Sequence, residues 1–322
     1  MPIPTPSPAT IIATITAILL LSIFAVFLRF YILRRRSQRW RTDDWLTLPC
    51  LVLLVGLVVL LFYGLATKAL GYPASTLASL LGDQAGKVAE WKSVTARKIG
   101  FTALLISTGT AGLIRVSILL LYRRTVGKDR PWSDTRNMFI FLMMSLAILW
   151  AIIYTFTFMF MCKGKFHVLF YGASLPRNTC LDIFAVTRSA SLQDLILNVL
   201  VIAIPVPFVL KQAGSRPRTL LVISAFVAGF AAVSASAIRM LCMIWIYKHG
   251  FALGTEEQLL ITVETYTRTM EIMLGLLAGT LAALVEFISA DEVLRTCQNT
   301  PQDTHAQGDQ RRKDSSRDPS PG

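Results

Sequence analysis

The chain has 322 residues, of which 54% are hydrophobic and only 16% are charged, a balance more apolar than that of soluble globular domains. Its net charge is +13 at pH 7, yet the lysines and arginines fall mainly between long apolar segments. Positive charge in such positions sets membrane orientation. The composition therefore predicts an integral membrane protein whose partner is the lipid bilayer, and it excludes nucleic acid as a partner.

Seven apolar segments are long enough to cross a bilayer. A hydrocarbon core about 30 Å thick requires roughly 20 helical residues, so the sequence predicts an all-α, seven-transmembrane helix bundle over residues 10–289. A short extracellular segment of residues 1–9 precedes this domain, and the polar tail of residues 290–322 is predicted to be disordered and cytoplasmic. The predicted spans cover residues 10–33, 45–66, 99–122, 138–161, 183–210, 219–247 and 258–289.

The distribution of positive charge predicts the orientation of the chain. Residues 1–10 contain no lysine or arginine, whereas RRRSQRWR, directly after the first span, contains five arginines. Over all connecting segments, the proposed inner side has 18 lysines and arginines and the outer side has 9. The positive-inside rule therefore places the amino terminus outside and the carboxyl terminus in the cytoplasm. The membrane itself is either the plasma membrane or an endomembrane.

Cysteine and histidine positions predict one disulfide and no metal site. Cys162 and Cys180 flank the outer loop between spans four and five, on the side of the membrane where disulfides persist. We expect them to form a bridge that folds this loop over the bundle as a lid, and two free thiols are the alternative. The three histidines, His167, His249 and His305, lie outside the predicted spans, so no metal site is expected within the membrane.

Four short motifs follow one another in a recognisable order. They are DDWL after the basic first loop, SILLLY before basic residues at the end of span three, the two cysteines around the fourth loop, and Asp194 followed by IPVPFVL in span five. In this order the chain resembles the fungal rhodopsin-domain family, seven-helix membrane proteins of filamentous fungi that include receptor-like relatives of the Pth type. The resemblance covers roughly residues 10–290, and it picks out Asp43, Asp44, Tyr122, Cys162, Cys180, Asp194, Pro205, Pro207 and Glu271.

The resemblance implies seven spans more strongly than it implies any activity. Family members range from proposed surface receptors to proteins encoded within natural-product pathways. For Asp43 and Asp44 a simpler explanation also applies, because they precede span two and can cap its first N–H groups and complement the helix dipole. Span seven departs from the family pattern, since it ends AGTLAALVEF where many relatives have a proline.

Two activities that the family name suggests are not supported by the residues. Retinal chemistry requires a lysine amine inside the bundle, and no predicted span has an internal lysine, so retinal is rejected and no cofactor is expected. Coupling to a G protein is not supported either. An acidic–arginine pair is common at the inner end of span three in such receptors, but the nearest candidate here, Arg115, lies seven residues before Tyr122 and follows Ile114.

Seven of the charged residues within the apolar spans lie away from the span ends. A charge at the bilayer centre costs roughly 3 kcal/mol on insertion scales, so seven unpaired charges would cost on the order of 20 kcal/mol. That exceeds the typical net stability of about 5 to 15 kcal/mol, so these residues must pair, reach an interface or line water. They are Arg115, Arg188, Asp194, Arg239, Glu264, Arg268 and Glu271.

Helical spacing places most of these charges on two inward-facing stripes. The stripes consist of Arg188, Ser191, Asp194 and Asn198 in span five, and of Glu264, Arg268, Glu271, Gly275 and Gly279 in span seven. Both stripes and Arg239 are expected to meet at a similar depth below the outer loop. Gly275 and Gly279 have the spacing of two small residues that permits close approach of another helix.

Two interpretations of the span-seven stripe remain open. In the first, Glu264, Arg268 and Glu271 form an ion-pair ladder along one helix that only locks the bundle together. In the second, a sensor binds a small polar or amphipathic molecule from outside, and Arg239 and Arg268 hold an anionic group. Helix movement would then pass through the segment at residues 205–207, which contains two prolines.

A third interpretation is catalytic. Asp194 or Glu271 would act as a general acid on a lipophilic substrate, as in a membrane-embedded cyclase of a fungal secondary-metabolite pathway. These carboxylates appear without any further catalytic motif. The sequence therefore predicts a multi-pass membrane protein that handles an unknown small molecule and is receptor-like by resemblance, with a role in secondary metabolism as the alternative.

The orientation can be tested with single cysteines placed near residue 5, at residue 128 and in the tail. Because positive charge is concentrated on the proposed inner side, an impermeant thiol reagent should label only the first site in intact cells. The other two sites should react after permeabilisation. Labelling at residue 128 in intact cells would refute the proposed topology.

Overall fold

Helices form the regular secondary structure of the residues that the structure, a computed structural model, describes: 7–35, 42–72, 85–127, 135–164, 170, 180–203, 216–249 and 257–299. The seven helices are α1 (Pro8–Arg35), α2 (Thr42–Ala66), α3 (Ala85–Gly127), α4 (Thr135–Phe160), α5 (Ile183–Ala203), α6 (Arg216–His249) and α7 (Glu257–Asn299). Each contains a stretch long and apolar enough to cross a membrane. The predicted seven-helix membrane architecture is confirmed, and the orientation of the termini stays a prediction.

Polar residues at the helix starts explain where two of the helices begin. The Ser7 hydroxyl accepts a hydrogen bond from the backbone N–H of Thr10 at 3.2 Å, and Pro8 occupies the first helical position of α1. In the same way, Asp182 accepts a hydrogen bond from the N–H of Ala185 at 3.3 Å at the start of α5. Both side chains satisfy an N–H group that lacks a partner within its helix.

The outer surface of the bundle is apolar. Large side chains such as Phe27 on α1, Leu149 on α4 and Phe230 on α6 are more than half exposed. A soluble protein rarely exposes contiguous apolar surface of this kind. Facing lipid tails, these side chains need no further burial, which agrees with a chain that crosses the membrane several times.

Two helix boundaries differ from the prediction. Helix α3 begins at Ala85 rather than at residue 99, and α7 ends at Asn299 rather than at residue 289. Both extensions are polar, so hydropathy does not detect them, but they consist mainly of residues that a helix accepts. The rest of the predicted disordered tail lies outside the described residues, as do Pro205 and Pro207.

The longer α3 brings two lysines into a candidate span, where the sequence predicted none. Its added turns contain Lys92 and Lys98, which lie within the candidate span from Glu90 to Arg124. Lys98 is exposed, and its Nζ lies 5.9 Å from the ring centroid of Phe170. The predicted absence of lysine is therefore wrong for the first part of this span and holds in α3 only from residue 99 onward.

Helix α7 is the centre of the bundle. It packs against α6, α3, α1 and α2, and it is the most buried of the seven spans. One hydrophobic cluster joins α1, α2, α3 and α7, and a second one joins α3, α4 and α5. Helix α5 packs chiefly on α6 and only lightly on α3 and α4. The polar site described below bridges this weaker contact.

The predicted disulfide is confirmed, since Cys162 and Cys180 are bonded to each other with their Cα atoms 4.1 Å apart. The bridge ties the end of α4 to the start of α5. A backbone hydrogen bond from the N–H of Leu181 to the carbonyl of Met161 at 3.0 Å supports the same connection. Most of the enclosed loop lies outside the described residues, so its role as a lid stays a prediction.

Glycines allow α3 to approach two neighbouring helices closely, α7 at Gly279 and α4 at Gly112. A Cβ atom added at Gly279 of α7 would lie 3.0 Å from Cγ1 of Ile118, whereas one added at Gly275 would lie 3.6 Å from Ile114. The second distance is an ordinary contact. The predicted close approach is therefore confirmed mainly at Gly279. An even tighter approach occurs at Gly112 of α3, where an added Cβ would lie 2.6 Å from the Cβ of Ala151 on α4.

Gly112→Ala should therefore lower the thermal midpoint of the detergent-solubilised protein, because neither Cβ atom can rotate away and α3 must separate from α4. Gly109 lies one turn earlier on the same helix, with nothing within 4 Å of an added Cβ. Gly109→Ala should leave the midpoint unchanged or raise it, since alanine is favoured over glycine in a helix by about 1 kcal/mol. Equal midpoints for the two variants would contradict the observed packing.

Candidate functional site

Asp194 of α5 is the centre of a buried polar cluster. One of its carboxylate oxygens, Oδ1, accepts a hydrogen bond from Nη2 of Arg115 on α3. The other oxygen, Oδ2, accepts one from Nη2 of Arg239 on α6. All three side chains are buried. A single carboxylate therefore links three helices.

Glu271 adds α7 to this cluster. Its Oε2 atom lies 2.8 Å from Nη1 of Arg239, so Arg239 is shared between Asp194 and Glu271. The Oε1 atom of Glu271 accepts a hydrogen bond from Nδ2 of Asn198 on α5 at 2.5 Å. Every carboxylate oxygen of Asp194 and Glu271 thus has a donor from the protein.

Asn198 closes the cluster and was not among the predicted site residues, although it lies on the predicted stripe. Its Oδ1 accepts hydrogen bonds from Nε and Nη2 of Arg115 at 3.0 and 2.9 Å. Its Nδ2 donates to Oγ of Ser236 on α6 at 2.8 Å as well as to Glu271. We call Arg115, Asp194, Asn198, Ser236, Arg239 and Glu271 the central cluster.

The predicted ladder along α7 is only partly correct. Arg268 and Glu264 do pair within the helix, with Nη2 to Oε1 at 3.1 Å. Glu271, however, has its partners on neighbouring helices, because it faces α5 and α6. Arg188, the remaining predicted residue, is half-buried near the start of α5.

The central cluster is balanced in charge, since Arg115 and Arg239 offset Asp194 and Glu271. The neighbouring pair of Arg268 and Glu264 is balanced as well. Charges in a medium of low dielectric constant are tolerated when they are paired and hydrogen-bonded. Six of the seven charges singled out in the sequence are therefore in ion pairs.

A second buried ion cluster lies nearer the C-terminal end of α3, beyond Arg115. Arg29 of α1 donates from Nε to Oδ1 of Asp44 at 3.0 Å and from Nη2 to Oδ2 of Asp43 at 2.8 Å. Nη1 of Arg124 on α3 lies 3.8 Å from the same oxygen of Asp43. We call Arg29, Asp43, Asp44 and Arg124 the end cluster; it joins α1, α2 and α3.

This geometry extends the simple explanation of the two aspartates. Asp43 and Asp44 lie in the first turn of α2, where they complement the helix dipole, but both are buried against Arg29. Arg29 was overlooked in the sequence, although an arginine inside an apolar span just before an acidic pair is a detectable signal. Tyr122, another family residue, packs half-buried against the hydrophobic cluster of α3, α4 and α5.

A small cavity lies between the two clusters. Its polar lining comes from Arg29, Thr47, Ser117 and Thr280, and Gly275 and Gly279 form part of its wall. Its volume is about 10 Å³, which is room for roughly one water molecule. In the part of the chain that the structure describes, no three His, Cys, Asp or Glu side chains are placed to hold a metal ion.

The fold and these clusters define a class of protein, a polytopic seven-helix membrane protein with buried ion-pair networks between its helices. Sequence comparison then gives the family. The family model of the fungal rhodopsin domain matches residues 28–290, so the chain belongs to the fungal rhodopsin domain family. Comparison with curated proteins finds no match, and neither does comparison with solved structures.

The three carboxylates should differ in their contribution to stability. Asp194→Asn should lower the thermal midpoint most, because it leaves two buried arginines short of a partner, at a cost of about 3 to 5 kcal/mol. Glu271→Gln should lower it less, since Glu271 binds one arginine, Arg239, and that arginine keeps its contact with Asp194. Glu264→Gln should have the smallest effect, because Glu264 binds one arginine, one turn away on the same helix, and is itself partly exposed.

Melting of the three purified variants in one detergent provides the measurement. Glu264 is the matched control, since it is a carboxylate on the same helix as Glu271 and its side chain is 23% exposed. If Asp194→Asn and Glu264→Gln lowered the thermal midpoint equally, the binding of Asp194 to two other helices would have no effect on stability.

Proposed function

We propose that the protein is a receptor-like sensor of a small molecule, and that the central cluster is its switch. The observation that carries this proposal is the sharing of charges among four helices. Asp194 of α5 binds arginines from α3 and α6, and Arg239 of α6 binds carboxylates from α5 and α7. A displacement of any one of these helices changes the contacts of the others.

Sharing gives the cluster more than one arrangement without an unpaired charge. If α6 shifts toward α7, Arg239 can strengthen its contact with Glu271 while Arg115 still neutralises Asp194. A shift toward α5 reverses this preference. Two arrangements of similar free energy are what a ligand needs in order to shift a population. A bond between only one donor and one acceptor would lack this property.

The end cluster supplies a fixed frame in the same proposal. Arg29, Asp43 and Asp44 join α1 to α2 through short, fully buried contacts. Arg124 of α3 is attached to this frame more loosely, at 3.8 Å. Movement of α5 and α6, whose described residues contribute nothing to the hydrophobic cluster of α1, α2, α3 and α7, would carry the signal across the membrane. In the predicted topology, the ligand enters from outside and the end cluster lies on the cytoplasmic side.

A membrane-embedded cyclase of a secondary-metabolite pathway is the alternative, with Asp194 or Glu271 as the general acid. Such an acid must place its proton within hydrogen-bond reach of a substrate. Here all four carboxylate oxygens accept hydrogen bonds from Arg115, Arg239 or Asn198. Each oxygen already has a donor from the protein, so this geometry favours the sensor.

Glu271→Gln should bias the switch and produce an output without ligand, because it weakens one of the two arrangements of Arg239. The variant is placed at the native locus beside the wild type, a deletion strain and Glu264→Gln. Transcript profiles are compared at equal amounts of membrane-inserted protein. We expect Glu271→Gln to differ from both the wild type and the deletion, and Glu264→Gln to match the wild type.

Two other transcript profiles of Glu271→Gln would contradict the sensor. A Glu271→Gln profile identical to that of the wild type, with a lowered melting temperature, would make the cluster a structural lock and overturn the sensor. A profile identical to that of the deletion would indicate loss of an activity and favour the enzyme.

A further inference from the structure

We propose that the protein binds the oxygen atom of a neutral, lipophilic small molecule beside the central cluster, at N–H donors of Arg115, Trp150 and Arg239. We call these donors, together with the hydroxyl of Ser191, the oxygen site. This inference rests on the proposed sensor function and names the chemical class of its ligand. It differs from the anionic ligand that the sequence suggested.

The oxygen site consists of buried polar atoms without a partner among the described residues. These atoms are Nη1 of Arg115, Nε1 of Trp150, Nε of Arg239 and Oγ of Ser191. The exposed fractions of the four residues, in that order, are 3%, 6%, 3% and 0%. Buried donors in proteins nearly always have an acceptor. Four groups of this kind in one region therefore require an acceptor that the described side chains do not supply.

Contacts on the central cluster show that these groups are neighbours. Arg115 and Arg239 bind opposite oxygens of Asp194. Ser191 lies one helical turn before Asp194 on α5, on the same buried face. Trp150 of α4 lies with its ring 4.7 Å from the guanidinium carbon of Arg115. The oxygen site thus lies where α3, α4, α5 and α6 meet.

Charge balance decides which kind of acceptor fits. The carboxylates of Asp194 and Glu271 already neutralise Arg115 and Arg239. An anionic ligand would add an uncompensated negative charge inside the membrane, and a cation would meet only donors. A neutral carbonyl or ether oxygen accepts N–H bonds without adding charge. A surplus of donors in a neutral cluster therefore selects a neutral acceptor.

The aromatic side chains of α4 indicate the shape and polarity of the rest of the ligand. Trp150, Tyr154 and Phe158 follow at intervals of one turn, with ring centroids 5.7 and 6.1 Å apart. This ladder runs from Arg115 toward Cys162 and the disulfide. Helix α5 presents the small residue Ala190 to the same cluster and packs only lightly on α4. A flat, apolar body matches these surroundings.

Benzophenone is a suitable probe, because it is neutral and flat and carries one carbonyl oxygen. Diphenylmethane has the same rings without the oxygen, and 4-benzoylbenzoate adds a negative charge. The purified full-length protein is melted in detergent with each compound. We expect benzophenone to raise the thermal midpoint, and the other two compounds to have little effect. Photocrosslinking of benzophenone followed by peptide mapping should mark α4 or α5.

Trp150→Phe is the decisive variant, since it keeps a ring against Arg115 and removes one donor. It should weaken benzophenone binding roughly tenfold, the effect of losing one hydrogen bond. Its midpoint without probe should be unchanged or higher, because a buried donor without a protein partner has been removed. Trp45→Phe is the matched control, since Trp45 is 59% exposed on α2. It should bind as the wild type does.

Equal stabilisation by benzophenone and diphenylmethane, or undiminished binding by Trp150→Phe, would overturn the oxygen site. No stabilisation of the wild type by benzophenone at any concentration would overturn the ligand proposal. Neither result depends on Glu271→Gln transcripts, so a failure here is distinguishable from a failure of the sensor.

Discussion

The shared ion pairs of Asp194 are the interaction on which the rest of the bundle depends. Helix α5 packs only lightly on α3 and α4, yet its Asp194 binds Arg115 of α3 and Arg239 of α6 deep in the membrane. Apolar packing between helices gains little in lipid, because lipid tails are as apolar as leucine. Paired charges in a medium of low dielectric constant specify which helices meet and at what depth. The position of α5 follows from this carboxylate more than from its hydrophobic surface.

The two ion clusters divide the molecule into parts with different mechanical character. The end cluster holds α1 and α2 through Arg29, whose partners Asp43 and Asp44 are adjacent in sequence and bound closely. The central cluster instead distributes its bonds over four helices, with Arg239 between two acceptors. In the proposed sensor, the first arrangement resists movement and the second permits exchange of partners. The described residues contain seven helices that could span a membrane, and the chain belongs to the fungal rhodopsin domain family. The proposal of a sensor rests on the difference between the clusters.

Hydropathy and composition were sufficient for the number of helices, and the location of cysteines was sufficient for the disulfide. They were insufficient for helix ends. The first turns of α3 and the last turns of α7 are polar, so a search for apolar runs places these helix ends at residues 99 and 289 and not at Ala85 and Asn299. The candidate list also contained every charged member of the central cluster, because a charge in an apolar span is conspicuous by its cost.

The sequence by itself determined that this is a seven-helix membrane protein whose buried charges must be paired. Only the tertiary structure decided the partners: Glu271 binds Arg239 rather than Arg268, Asn198 closes the cluster, and Arg29 binds the two aspartates. Helical periodicity fixes which residues share a face of one helix. It does not fix the rotation, tilt and relative depth of separate helices, and a difference of one turn, about 5.4 Å, is enough to exchange one partner for another.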